Sequence, residues 1–202
     1  PNYIQIVAAA DSGIKTLADL KGKRIAVGAP KSGTELNARD IFRGAGMSYK
    51  DFGKVEYLPF GESVELMKNR QLDATLISAG LGVAAVRDLA SAVPIVIIPI
   101  PADVVAKIGE AAYQAGSIPA DTYKGQSTAV PTVAVQNFLV THEGVPAETV
   151  YVMTKSMFDN IDQMTAAHAA AKAINKGTAA TGMPVPLHPG AEKYYREAGL
   201  IK

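Results

Sequence analysis

Three adjacent residues, Ser32, Gly33 and Thr34, have the types and the placing to hold an anion. They follow a short β-rich run, residues 24–28, and open a segment in which Ala38, Ile41, Phe42 and Ala45 recur at helical spacing. A helix start leaves several backbone N–H groups unpaired and carries partial positive charge, which suits a carboxylate. Gly33 lets a ligand approach the backbone closely, and the Ser32 and Thr34 hydroxyls can donate to it. Taken alone, the arrangement favours a plain helix cap. Gly28 and Gly33 reproduce the glycine spacing of a nucleotide-binding loop, but Thr34 stands where that loop needs Lys. A second triplet, Ser78-Ala79-Gly80, also lies between a strand and a helical segment. Ligands of open α/β sheets sit beyond the carboxyl ends of the strands, so the two loops can line one crevice. Arg70 and Asp73, flanking Leu72, read as a solvated helix end.

Catalysis and metal binding find little material. His168 falls on an apolar helical stripe and reads as a core or interface residue, and His142 lies in a polar loop. His188, between Leu187 and Pro189, reads as a hydrogen bond holding its loop. There is no G-x-S-x-G, no H-E-x-x-H and no close carboxylate pair in an apolar setting. The expectation is a protein without catalytic activity, metal or cofactor. The absence of Cys excludes disulfides, thiolate metal sites and cysteine nucleophiles. With 20 Lys and Arg against 19 Asp and Glu, scattered singly, there is no basic face for nucleic acid. The longest apolar run, residues 93–101, is too short to span a bilayer and contains three prolines.

Positioning these loops requires a regular scaffold, and the chain supplies one. Strand-like runs at 3–10, 24–28, 55–58, 74–78 and 94–98 alternate with helical patterns at 17–20, 34–45, 63–71, 83–90 and 103–112. Such alternation predicts an α/β fold with a largely parallel sheet. Thr16 is placed to cap the first of these helices. Residues 113–128, rich in Gly, Pro, Ser and Gln, read as a connection. Beyond it come a strand at 132–140 and a helix from 146. Met157, Ile161, Met164, His168, Ala171 and Ile174 then form one apolar stripe that predicts a single long helix. A proline-rich loop at 182–189 precedes a last helix at 191–198.

Several stretches together resemble the TAXI family, the solute receptors of one class of tripartite ATP-independent periplasmic (TRAP) transporters. They are Asp11-Ser12-Gly13-Ile14, Leu17-Ala18-Asp19-Leu20-Lys21-Gly22-Lys23, and Val27-Gly28-Ala29-Pro30-Lys31-Ser32-Gly33-Thr34-Glu35. Ile118-Pro119-Ala120 with Tyr123-Lys124-Gly125-Gln126, then Thr132-Val133-Ala134-Val135, extend the pattern. So do Pro186-Leu187-His188-Pro189-Gly190-Ala191, Tyr194-Tyr195 and Gly199. The resemblance implies a type II periplasmic-binding-protein fold, two α/β lobes with mixed, mostly parallel sheets that close over a ligand. It implies a periplasmic protein, a small anionic solute such as glutamate, glutamine or another carboxylate, and delivery to TRAP membrane subunits. On that reading residues 1–10 and 123–202 form lobe I, 11–112 form lobe II and 113–122 cross between them. Ser32, Gly33, Thr34, Ser78 and Gly80 then contact the ligand. Lys31 departs from the pattern, which usually has Gly there. The start at Pro1, with no leader, reads as a processed or truncated chain whose first lobe lacks its N-terminal part, so self-association is expected. Alternatives on the same fold are a receptor or sensor domain of another import system, a transferase, and a surface antigen.

Overall fold

The apolar run at the start of the chain forms β1 (Asn2–Ala9) in the computed structural model, which describes the backbone of all 202 residues and every side chain but that of Ala169. Side chains of a strand alternate between its two faces. Ile4, Ile6 and Ala8 therefore enter one core and Val7 another. The strands that follow are β2 (Arg24–Ala26), β3 (Lys54–Glu56), β4 (Ala74–Ala79), β5 (Ile95–Ile98), β6 (Tyr113–Ile118) and β7 (Val130–Val135). All belong to one seven-stranded sheet of order β3-β2-β4-β1-β7-β6, with β5 also paired to β1. β2 runs parallel to β3 and β4. β1 is antiparallel to β4, β5 and β7, and β6 to β7. Thus β2, β3, β4, β5 and β7 share one direction, and only β1 and β6 oppose it. The mixed α/β sheet read from the sequence is present, with most strands running one way, and its antiparallel ladders all arise from β1 and β6.

Helices α1 (Gly33–Gly44), α2 (Phe60–Lys68), α3 (Ala84–Ala92) and α4 (Ala102–Ile108) cover the sheet. Ala38, Ile41 and Phe42 of α1 pack with Val104, Val105 and Ile108 of α4 on the face carrying Ile4 and Ile6. Val64 and Met67 of α2 meet Val86 and Leu89 of α3 on the face carrying Val7 and Ile77. Side chains such as Ile6, Ile25 and Leu76 have no exposed surface. Each contributes about 1.5–3 kcal/mol by burial.

The chain divides into two compact units, Pro1–Gln136 and Asn137–Lys202. The sequence reading groups residues 1–10 with 123–202. Ladders join β1 to β7, with which that reading groups it, and also to β4 and β5, and β7 ends the first unit. In the second unit, α5 (Ala147–Asp159) packs on α7 (Pro189–Glu197) through Phe158, Tyr194 and Tyr195. Gly190 makes this possible, because a Cβ there would lie 2.1 Å from the carbonyl oxygen of Ala147. Among the described residues this unit contains no strand.

Four sequence expectations change. The long helix over 157–174 breaks at Asn160: α5 ends at Asp159, α6 spans Ile161–Ala167, and His168 is extended with φ −151°. Exposed, it is not a core residue. Its Nδ1 instead accepts from the Ala170 amide at 3.1 Å. Residues 113–118 form β6 rather than a connection; as an edge strand with exposed Gln114, Ala115 and Ser117 it carries little apolar signal. Thr16 does not cap the first helical turn. The Asp19 carboxylate accepts from Lys15 N (3.1 Å) and Thr16 N (2.9 Å), which holds its pKa below the ordinary carboxylate value. No helix among the described residues is long and apolar enough to cross a membrane.

Candidate functional site

The parallel pairing of β2 with β3 and β4 sets the carboxyl ends of these three strands on one edge of the sheet. From that edge rise the starts of α1, α2 and α3. Pairing extends past β2, where Val27 N donates to Glu56 O at 3.0 Å. The chain then turns at Gly28, φ 96°. A Cβ at Gly28 would lie 2.7 Å from both Cβ and Cγ2 of Thr34, so the loop folds back onto the helix start as only glycine allows. Lys31 takes a left-handed φ of 59°. That conformation is one glycine adopts without strain, which accounts for the residue usual at this position in the resembled pattern. Ser32 N closes the turn on Ala29 O at 3.1 Å.

Ser32 is the N-cap of α1, its Oγ accepting from Glu35 N at 3.2 Å. Acceptance leaves the hydroxyl hydrogen available, so capping and donation to a ligand are compatible. Gly33 is exposed, Thr34 is buried against Gly28, and their amides belong to the first turn, which has no intrahelical acceptor. The cap residues of α2 and α3, Pro59 and Val83, offer no side-chain hydrogen bond. Each of the three helix starts adds a partial positive charge to this edge, met at α1 by Glu35 and at α2 by Glu62 in the first turn. Its one buried carboxylate, Glu35 at 2% exposure, is balanced by Arg39 Nε at 2.5 Å and by the Tyr49 hydroxyl at 3.0 Å. Burial, then the Glu35 hydrogen bond, pushes the Tyr49 phenol well above its ordinary pKa.

Ser78 lies in β4, buried at 7% exposure, with Oγ accepting from Asn37 Nδ2 of α1 at 3.0 Å. Asn37 Oδ1 in turn accepts from the Tyr113 hydroxyl at 3.0 Å. This chain of bonds ties α1 to β4. Gly80, half-buried beyond the end of β4, has its carbonyl bound by Gln5 Nε2 at 3.4 Å. The structure therefore gathers the five predicted residues along one edge. Ser32, Gly33 and Gly80 reach its surface, and Ser78 lies beneath α1. Sequence reasoning missed Asn37, Gln5 and the bare starts of α2 and α3. Gln5, a polar residue inside an apolar strand, was the available signal.

Other candidates act locally. Asp73 binds Arg24 through Nη2 (2.7 Å), Nε (3.1 Å) and the backbone N–H (2.8 Å), and Arg70 pairs with Asp11 at 2.9 Å. His142 and His188 each accept an amide two residues on through Nδ1, from Gly144 at 3.1 Å and Gly190 at 3.2 Å. His188 thereby caps α7. A cavity of about 350 Å³ is lined by Leu17, Lys21, Met47, Pro101, Val104 and Lys107, none of which belongs to the α1 start or the Gly80 turn.

Solved structures with a similar chain course include the periplasmic aliphatic sulphonate binding protein SsuA from Escherichia coli. It is 15% identical, with 98% of this chain and 61% of that one covered and a TM-score of 0.49. The alkanesulfonate-binding protein SsuA from Xanthomonas axonopodis pv. citri, bound to MOPS, is 16% identical over 96% and 57%, with a TM-score of 0.48. An ancestral arginine-binding protein bound to glutamine is 18% identical over 85% and 56%, with a TM-score of 0.41. The chain spans about three fifths of the length of the first of these. The sequence pattern of the NMT1-like family matches residues 1–199, and the chain belongs to that family.

Proposed function

We propose that this protein is a periplasmic receptor that binds a small carboxylate-bearing solute, glutamate or a related amino acid, and delivers it unchanged to the membrane subunits of a TRAP transporter. The observation that carries the reading is the α1 start, where exposed Gly33 and its neighbour Thr34 present amides without intrahelical acceptors on the edge shared with the starts of α2 and α3. Such amides suit a carboxylate, and Ser32 adds an O–H donor. An anion at one helix start gains about 0.3–2 kcal/mol. A micromolar receptor needs about 8 kcal/mol, so further contacts must come from the Gly80 turn and the rest of the ligand's surroundings. The TRAP assignment rests on the resemblance carried by Ser32-Gly33-Thr34-Glu35 and Pro186-Leu187-His188-Pro189-Gly190-Ala191. Binding without reaction follows from a site built of amides, hydroxyls and small residues.

The test is Gly33→Leu. A Cβ at Gly33 meets nothing within 4 Å, so the fold accepts the change while the new side chain stands over the amides. A thermal-shift panel of amino acids and dicarboxylates first identifies the solute, since a ligand at a hundred times its Kd stabilises the protein by about 2.7 kcal/mol. Gly33→Leu then weakens that solute's binding in calorimetry by about tenfold or more, a loss of about 1.4 kcal/mol. Undiminished affinity in the variant would remove the α1 start from the site.

A further inference from the structure

The Ile118-Pro119-Ala120 and Tyr123-Lys124-Gly125-Gln126 stretches have no part in the α1 site, yet they build a closed structure of their own. Gln126, 9% exposed, fills it. Its Nε2 donates to Pro119 O and Thr128 O, each at 2.9 Å, and its Oε1 accepts from Tyr123 N at 3.3 Å. Asp121 N closes the base on Gln126 O at 2.8 Å. What the bracket presents is Tyr123, 3% exposed, with its hydroxyl directed away from the loop.

That hydroxyl makes two bonds. It donates to Gln5 Oε1, 118 residues away in sequence, and accepts from Gly82 N at 3.1 Å. Gln5 has no exposed surface, and its Nε2 reaches Ala79 O at 3.2 Å and Gly80 O at 3.4 Å. Residues 79–82, the turn between β4 and α3, are thus held from one side by Gln5 and from the other by Tyr123. Gly82 sits at φ 70°, where only glycine is free of strain, and of the turn's side chains Ala79 and Leu81 are no more than partly buried against the core. A polar side chain on the central strand of a buried sheet is destabilising unless every hydrogen-bonding group is matched. Here both ends of the amide are matched, and all the bonds converge on one loop.

We propose that Tyr123 and Gln5 are positioning residues for the solute site: the 118–128 bracket fixes the 79–82 turn and so sets ligand affinity from outside the contact surface. This rests on the receptor reading above. Two of the turn's carbonyls, those of Ala79 and Gly80, are bound by Gln5, and the turn leads directly into α3, whose N-cap Val83 makes no side-chain capping bond. A bracket that merely filled the core would not need its hydroxyl.

Tyr123→Phe keeps the ring and removes the oxygen. Amide hydrogen exchange on the full chain without ligand should show Gly82 exchanging at least tenfold faster, with the amides of the β1–β4 ladder unchanged. Calorimetry with L-glutamate should show affinity weakened by about fivefold to tenfold, mainly through faster release. Unchanged Gly82 exchange overturns the proposal at its root. Faster exchange with unchanged affinity overturns the link from the turn to the ligand. Wild-type protein that binds neither L-glutamate nor any member of the amino-acid and dicarboxylate panel refutes the receptor reading itself, and the proposal with it.

Discussion

Gly28→Ala isolates the backbone geometry on which the α1 start depends. Two costs add. An L-residue held at positive φ is disfavoured by about 1–2 kcal/mol, and Gly28 sits at 96°. The added Cβ also lands 2.7 Å from Cβ and Cγ2 of Thr34 and 3.2 Å from Glu35 N. Forcing a methyl into packed structure costs about 1–3 kcal/mol. The neighbours here are the first turn of a helix fixed by the Ser32 cap, so relief requires α1 to shift. The expected destabilisation is about 2–5 kcal/mol, a large share of the 5–15 kcal/mol typical of a domain. Urea unfolding measures it as a midpoint lower by about 1–2.5 M at a slope of about 2 kcal/mol/M. Gly33→Ala is the control. It has an ordinary φ and open space for its Cβ, and its stability should stay within about 0.5 kcal/mol of wild type. Thr34→Ser removes one of the two clashing atoms, so combining it with Gly28→Ala should recover about 1 kcal/mol beyond additivity. A Gly28→Ala protein as stable as Gly33→Ala would refute the reasoning.

Other consequences are testable in solution. Asp73 is held ionised below the ordinary carboxylate pKa by its side-chain hydrogen bonds from Arg24, so its contribution is complete above about pH 4 and fades as pH falls through the lowered value. Asp73→Asn should cost about 1–2 kcal/mol at pH 7 and progressively less on acidification; a gap independent of pH between 7 and 2 would contradict this. Burial, then hydrogen bonding to Glu35 and Asp40 respectively, raises the Tyr49 and Tyr113 phenols. With eight Tyr and no Trp, absorbance at high pH should resolve tyrosines that stay protonated well past the ordinary value of about 10. A single step near 10 for all eight would exclude the buried geometry. Leu139 and Val140, 78% and 64% exposed, lie in the second unit with exposed Val152, Met153 and Val185. Sedimentation should show concentration-dependent self-association, and a clean monomer at high concentration would tell against it.

What could be read from the sequence was what neighbouring residues decide. The strand read at 74–78, which forms β4 through Ala79, and the helix opening after Ser32, are written in local apolar periodicity and in the conformations open to Gly and Ser. Lys31 stood out as a residue where glycine was expected, and its φ of 59° supplies the physical ground. The break at Asn160 was hidden because a three-four repeat of apolar residues runs through it: periodicity reports which face is apolar, and nothing in it requires one continuous axis.

The rest depended on partners distant in the chain. β1 looks like any buried strand, and its apolar run does not say that it opposes β4 or that β5 and β7 share its other side. β6 is a strand only because β7 supplies its ladder, and Gly116 is tolerated there since a Cβ would lie 3.2 Å from that of Ala134. Gln5 shows the same dependence in one side chain. Between Ile4 and Ile6 it is an anomaly in the sequence, and its meaning lies in Tyr123, 118 residues on, and in Ala79 and Gly80 across the sheet. A buried amide must be matched at both ends or the strand is destabilised. An isolated polar residue in a run of Ile and Val therefore points to a tertiary contact before its partner is known. Here the partners it selects are the turn that borders the candidate site and the hydroxyl that fixes that turn.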